Sequence, residues 1–230
     1  MIAENIAKIR ENMVRAALAA GRRPEEILLC AATKMNDAAR VREAVAAGVD
    51  CCGENRVQEL TQKLAEHAYD GAPVHFIGHL QTNKVKQVVG KVSLIQSVDR
   101  LELLRCIEHE AEKQGILQDI LLEVNVAAEE SKSGFTPELA PEIAAQMVEY
   151  PHCRLRGLMA IPPISEKNGD NCRYFEKIHT IAVDITAKKY DNVCMDCLSM
   201  GMSEDYADAI ACGSTMIRVG TAIFGARIYK

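Results

Sequence analysis

The sequence lacks the features that mark membrane, secreted and nucleic-acid-binding proteins. Its longest apolar runs, such as Ile27 to Ala32, are far shorter than the roughly 20 residues that a membrane-spanning helix needs. The first residues, Met1 to Asn5, contain neither the basic segment nor the apolar segment of a signal peptide. The formal net charge of −5 disfavours nonspecific binding to nucleic acid or anionic lipid. We therefore expect a cytoplasmic protein whose partners include neither nucleic acid nor a membrane.

Cysteine is plentiful, but the pattern of a disulfide framework or a zinc site is missing. The chain has nine cysteines, an odd number, and it is not a small protein. Its one Cys-x-x-Cys segment, Cys194 to Cys197, has no second pair to complete a tetrahedral site. On a strand, the two sulfurs of that segment would point to opposite faces of the sheet. Reduced and mostly buried thiols are the expected state.

The residues that are present alternate between apolar strands and amphipathic helices. A helix comes first, because Ile2, Ile6, Ile9 and Met13 recur at three- and four-residue steps and Gly21 can end it. Strands are predicted at residues 27–33, 49–54, 74–79, 93–98, 120–126, 154–161, 193–200 and 216–219. Helices are predicted at residues 37–47, 56–67, 83–89, 101–113, 171–189, 204–212 and 221–224, with one more starting at Thr136-Pro137. Polar loops are predicted at residues 129–134 and 165–170.

These units predict one (β/α)8 TIM barrel with an extra N-terminal helix, in a single domain over residues 1–230. Near-continuous apolar strands between helices indicate a parallel sheet that is covered on both faces. Eight such units close most naturally into a barrel. The alternative, an open doubly wound sheet, would need a glycine-rich phosphate loop after the first strand. Residues Thr33 to Asp37, which follow that strand, contain no glycine.

A lysine directly after the first strand is the first candidate for function. In this architecture the loops that follow the strands form the active face, and Lys34 lies at the start of the first of them. An ammonium in a mouth of low dielectric constant has a lowered pKa and becomes a nucleophile toward carbonyl groups. The alternative is a lysine that extends its charged end into solvent. The residue pattern alone leaves both interpretations open.

An arginine inside the last predicted strand is the second candidate. A barrel strand is buried on both sides, so the guanidinium of Arg218 needs an acceptor. One possibility is an internal salt bridge to Glu123 on the fifth strand, and the other is a contact with a ligand.

Small and hydroxyl-bearing residues follow the last two strands. Backbone N–H groups at this place commonly bind a phosphate in TIM barrels. The residues that indicate such a phosphate site are Ser199, Gly201, Gly220 and Thr221. Ser203, taken by itself, is interpreted as the N-cap of the helix that follows it.

Seven motifs, read together, carry a resemblance to a known family. They are Thr33-Lys34, Gly53 to Arg56, His75 to Lys84, Lys132 to Gly134, Gly157 to Met159, Ser199 to Ser203, and Arg218 to Gly225. In these motifs the chain resembles the pyridoxal phosphate homeostasis proteins (the YggS/PROSC family), whose barrel is similar to the N-terminal domain of bacterial alanine racemases. The resemblance runs from about Ile6 to the last residues.

The resemblance implies a pyridoxal 5′-phosphate (PLP) site. It makes Lys34 the residue that holds PLP as a Schiff base and places Arg218 against the pyridine nitrogen. It assigns the phosphate to Ser199, Met200, Gly201, Gly220 and Thr221, and it gives Asn55 a place on the cofactor face. His79 shares a predicted strand face with His75, which leaves a packed histidine and a functional one both open.

An arginine beside the ring nitrogen argues against amino-acid chemistry. Arginine has no acceptor, so the nitrogen stays unprotonated and the ring is a weak electron sink. In alanine racemases a second, β-rich domain supplies the other acid–base group, and no such domain is expected here, because the chain ends at Lys230, just past the last strand.

We therefore expect a carrier or buffer for intracellular PLP, acting in vitamin B6 homeostasis, rather than an enzyme. Its expected partners are PLP and PLP-dependent apo-enzymes that receive it, and a monomer is expected. One alternative is a weak PLP-dependent amino-acid racemase built from the barrel alone. Another is a barrel enzyme that acts on a phosphorylated metabolite through Lys34.

Overall fold

Eight parallel strands form one closed barrel. A computed structural model describes residues 1–129, 132–163 and 169–225 of the chain. The strands are β1 Leu28–Ala32, β2 Cys51–Glu54, β3 Val74–Phe76, β4 Leu94–Val98, β5 Gln118–Val124, β6 Cys153–Ala160, β7 Val193–Ser199 and β8 Met216–Val219. Each strand pairs with its neighbours in sequence, and β8 pairs with β1. This closure confirms the predicted (β/α)8 barrel and excludes the open doubly wound sheet.

Helices surround the barrel in the predicted order. They are α1 Ile2–Ala19, α2 Ala38–Ala46, α3 Val57–Ala65, α4 Leu101–Gln114, α5 Leu139–Ala145, α6 Cys172–Lys188, α7 Tyr206–Ala211 and α8 Thr221–Phe224, with a 3-10 helix, Thr82–Gln87, between β3 and β4. The extra helix α1 buries its predicted apolar face against α2, α7 and α8. Within the described ranges, no helix combines the length and the apolar character that crossing a bilayer requires.

Sulfur-bearing side chains fill much of the barrel interior. Along each strand, outward-facing residues join the main core beneath the helices, and inward-facing residues form a separate cluster. That inner cluster is Cys30, Cys51, Leu94, Leu121, Met159, Cys197 and Met216. A contact with Cys30 and burial raise the pKa of the Cys51 thiol well above its usual value. The Cys51 thiol therefore packs as a small neutral group.

Cys194 and Cys197 have the opposite orientations that the sequence predicts. The Cys194 side chain is exposed and that of Cys197 is buried.

Of the two predicted polar loops, residues 130–131 and 165–168 lie outside the described part of the chain.

Several predicted element boundaries differ from the observed ones by one to three residues, and two of them concern the end of β3 and the start of α5. The third strand ends at Phe76 rather than at residue 79, and beyond it Gly78 packs closely on the backbone of Asn55, the residue that follows β2. Helix α5 begins at Leu139, so Pro137 precedes the helix instead of starting it. The Thr136 hydroxyl still accepts a hydrogen bond from the Leu139 amide at 3.4 Å.

Candidate functional site

Lys34 lies at the carboxyl-terminal mouth of the barrel. It is half-buried in the turn that follows β1. The preceding residue, Thr33, is buried and bound to β2: its amide donates to Gly53 O at 2.9 Å, and its hydroxyl lies 2.5 Å from Glu54 Oε1. Met35, the next residue, has a positive φ of 60°. The backbone on both sides of Lys34 is therefore held in a defined conformation.

A buried group of charges lies beneath that turn. The Lys63 ammonium, from α3, is 2.8 Å from Thr33 O, 2.5 Å from Glu54 Oε1 and 3.2 Å from Glu59 Oε2. Glu59 Oε2 in turn accepts a hydrogen bond from the Met35 amide at 2.7 Å. Sequence reasoning missed this group. The signal was available in Glu54, a carboxylate inside a fully buried strand, which needs a cationic partner.

Arg218 is buried in β8 and is held by neutral acceptors. Only 5% of the residue is exposed, and it lies level with Cys30 of β1. Its guanidinium donates to the carbonyl and the hydroxyl of Ser199, both at 2.6 Å, and to Ala160 O at 2.9 Å. Its hydrogen-bond partners among the described residues are all neutral, so the salt bridge to Glu123 considered from the sequence is not formed there. Burial lowers the pKa of Arg218.

A chain of buried hydrogen bonds leads from Arg218 to His75. The Ser199 hydroxyl accepts from Arg218 and donates to Gln96 Oε1 at 2.6 Å, and Gln96 Nε2 lies 2.9 Å from His75 Nδ1. Burial lowers the pKa of His75 to about 4, so at neutral pH its ring is uncharged and Nδ1 can accept from the amide. The Ser199 hydroxyl therefore orients Arg218, and it is not available to a phosphate.

The other predicted phosphate residues lie together across the ends of β7 and β8. The Arg218 amide donates to Gly201 O at 3.0 Å, which joins the loop after β7 to β8. Gly201 has a φ of +93°, and a Cβ there would come within 2.6 Å of Ala209 Cβ, so this turn requires glycine. The Met200 side chain is fully buried, whereas Thr221 is exposed at the start of α8.

Ser203 does not cap the helix that follows it. Helix α7 begins at Tyr206 with Asp205 as its N-cap. The Ser203 hydroxyl instead lies 3.1 Å from Thr221 Oγ1 and 3.5 Å from the Ala222 amide. Ser203 thus joins the loop after β7 to the beginning of α8, and the predicted capping role is wrong.

Asn55 presents a polar atom without a partner. It follows β2 and is half-buried, and its Oδ1 is buried with no hydrogen-bond partner among the described residues. A buried polar atom left unsatisfied costs about 1–3 kcal/mol, which a ligand that bonds to it would recover. An amine at Lys34, a buried cation at Arg218 and this amide together fit the donor and acceptor groups of PLP.

His79 is hydrogen-bonded, but it does not lie on a strand face with His75. Its Nδ1 is 2.9 Å from Asp99 Oδ2, and its side chain is 55% exposed. Asp99 also pairs with Arg100 at 2.5 Å. The prediction of a shared face is wrong because β3 ends three residues before His79.

Glu123 is an acid of unusual pKa near Arg218. Burial on β5, and then the charge of Asp99, raise the pKa of Glu123 to about 7, while the charge of Arg218 opposes this shift. The folded protein therefore binds a proton at Glu123 between about pH 4.5 and 7 that the unfolded chain releases. Stability falls as the pH rises through this window and remains lower above it.

We expect Glu123→Gln to stabilise the protein by about 2 kcal/mol at pH 8 and to change its stability little at pH 4.5. Urea unfolding of both proteins at the two pH values measures this difference. Glu149→Gln, which removes an exposed carboxylate, is the matched control. Equal stability changes at both pH values would contradict the assigned shift.

Comparison with known proteins places the chain in a family. The model of the alanine racemase N-terminal domain family matches residues 4–228. Proteins named pyridoxal phosphate homeostasis protein from Pseudomonas aeruginosa and Escherichia coli K12 are each 41% identical to it; the alignments cover 99% and 100% of this chain and 96% and 98% of theirs.

Solved structures of related proteins have the same barrel fold. PipY of Synechococcus elongatus, solved with PLP bound, is 32% identical, has a TM-score of 0.84, and is aligned over 98% of this chain and 100% of its own. An alanine racemase of Clostridium difficile, at 15% identity and a TM-score of 0.69, shares the fold over 98% of this chain and 56% of its own. The chain therefore belongs to the pyridoxal phosphate homeostasis protein family, whose barrel is that of the alanine racemase N-terminal domain.

Proposed function

We propose that this protein binds PLP as a Schiff base on Lys34 and acts as a carrier or buffer in PLP homeostasis. The observation that carries the proposal is the pairing of β1 with β8, which brings the loop of Lys34 beside a buried Arg218 whose hydrogen-bond partners among the described residues are all neutral. The names of the relatives and the PLP in PipY support the same ligand.

Each side chain of the site has a role that its surroundings suit. Lys34 supplies the amine, and Arg218, oriented by Ser199, donates toward the ring nitrogen. Asn55 lines the cofactor face. The phosphate is bound mainly by backbone N–H groups at Gly201, Gly220 and Thr221, because the Met200 amide already donates to Met216 O at 3.1 Å and the carbonyl and hydroxyl of Ser199 bind Arg218. When bound, PLP supplies an aldehyde that condenses with amines and a ring that can withdraw electrons.

Arg218 favours storage over catalysis. A guanidinium has only donors, so Arg218 cannot share a proton with the ring nitrogen as a carboxylate would, and the electron sink stays weak. We propose that the protein is not an enzyme and that it delivers PLP to PLP-dependent apo-enzymes. A monomeric state and a cytoplasmic location remain predictions from the sequence.

Borohydride reduction tests the site. We expect the protein purified with PLP to lose its visible absorbance on reduction, and the mass of the reduced cofactor to appear on the peptide that contains Lys34. Lys34→Ala should give no such peptide, whereas Lys84→Ala, in a motif of the same family, should leave it unchanged. Finding the adduct mainly on another lysine would contradict the assignment.

An exchange experiment tests the carrier role. Incubating the PLP-loaded protein with single-enantiomer amino acids in D₂O should give no useful rate of deuteration at Cα. A racemase activity near the ~1–10³ s⁻¹ of ordinary enzymes, abolished by Lys34→Ala, would favour the racemase alternative. Unchanged PLP pools in a strain that lacks the gene would contradict the homeostasis role.

A further inference from the structure

A buried lysine clamps the turn that carries Lys34. Lys63 is 5% exposed at its side chain and Glu54 is fully buried, so neither charge can be satisfied by water. An unpaired charge at such a depth is very costly, and the ion pair persists because each charge compensates the other. Replacing either partner alone would leave the other charge uncompensated.

The same ammonium also binds the backbone next to the proposed Schiff-base residue. Lys63 Nζ donates to Thr33 O, the carbonyl of the peptide bond that joins Thr33 to Lys34, at 2.8 Å. This contact links α3 to the turn across 30 positions of sequence. It therefore restricts the rotation of the peptide from which the Lys34 side chain projects.

Glu59 completes the clamp on the other side of Lys34. Its Oε2 lies 3.2 Å from Lys63 Nζ and accepts from the Met35 amide at 2.7 Å. Met35 has a φ of 60°, a conformation that costs a non-glycine residue roughly 1–2 kcal/mol. The charged acceptor Glu59 favours that conformation. One ammonium and one carboxylate of α3 thus bind the residues on either side of Lys34.

We propose that Lys63 and Glu59 are positioning residues, which set the direction of the Lys34 amine for attack on the PLP aldehyde. This inference rests on the proposed function, because it assigns a role toward the same amine. Reaction rates depend steeply on such placement: an error of about 1 Å can cost on the order of 100-fold. Neither residue touches the cofactor in this assignment, and both act through the backbone.

Three variants of Glu59 and Lys63 test the proposal. Glu59→Ala removes the acceptor of the Met35 amide at a side chain that is 22% exposed, so we expect it to fold. We expect it to form the Lys34 adduct on the order of 10-fold more slowly, and Lys63→Met still more slowly. Lys63→Arg keeps a cation with donors and should restore part of the rate. Stopped-flow absorbance after mixing with PLP measures these rates.

A matched control distinguishes an effect on the position of the Lys34 amine from a general loss of protein stability. Asp119 forms partly exposed ion pairs at the opposite end of the barrel, with Arg154 at 2.7 Å and Arg156 at 2.8 Å. We expect Asp119→Asn to lower the urea midpoint but to leave the rate of adduct formation unchanged. If Glu59→Ala and Lys63→Met are folded and react as fast as the wild type, the positioning role is wrong. If the wild type itself forms no adduct on Lys34, the proposed function fails instead.

Discussion

Arg218→Glu is expected to fold with much lower stability and to bind PLP in an altered electronic state. The substitution leaves the acceptors Ser199 O and Ala160 O without their donor and places a carboxylate in a buried strand near Glu123. A carboxylate left without a compensating charge at such a depth costs about 3–5 kcal/mol. Because a carboxylate can share a proton with the ring nitrogen, we expect the visible spectrum of the loaded variant to change.

Urea unfolding and absorbance spectra of the loaded protein measure the two effects separately. Arg218→Gln is the matched control, since it keeps an N–H donor while it removes the positive charge and adds no negative one. We expect it to be less destabilised than Arg218→Glu. A folded Arg218→Glu variant with wild-type PLP affinity and spectrum would show that Arg218 does not face the ring.

Gly157→Ala is expected to destabilise the barrel by more than about 4 kcal/mol. Gly157 lies in β6 with a φ of +151°, where the pairing register with β7 shifts. A Cβ at this position would come within 1.8 Å of the Cys197 carbonyl oxygen. That oxygen belongs to the backbone of a paired strand, so relief requires β6 and β7 to separate.

Gly115→Ala is the control for the cost of backbone conformation alone. Gly115 ends α4 with a φ of +64°, and a Cβ there would meet no atom within 4 Å. We expect it to cost about 1 kcal/mol, as alanine in a left-handed conformation does. Urea unfolding measures the loss of stability in both variants. An equal loss in Gly157→Ala and Gly115→Ala would mean that the contact of β6 with β7 is not tight.

Local pattern predicted the site best where the side chain lies on or beside a strand. Lys34 and Arg218 could be singled out because a charge next to a buried apolar run is conspicuous and strand ends have a known place in a barrel. Ser203 was misassigned because its partner, Thr221, is not local in sequence, and the predicted strand face of His79 was wrong because β3 ends at Phe76. Local sequence preferences predict a helix cap or a strand face, but they do not predict which residue from a distant part of the chain forms a contact in the folded protein.

The sequence by itself determined the barrel and the order of its elements, and it singled out Lys34 at the mouth of the barrel and Arg218 within β8. These follow from apolar periodicity and from strand ends, which are local properties of the chain. Only the tertiary structure decided that Lys63 binds the backbone beside Lys34 and that the Ser199 hydroxyl serves Arg218. The reason is geometric: closure of β8 onto β1 and the packing of α3 against β2 set distances of about 3 Å between distant residues, and hydrogen bonds depend on those distances.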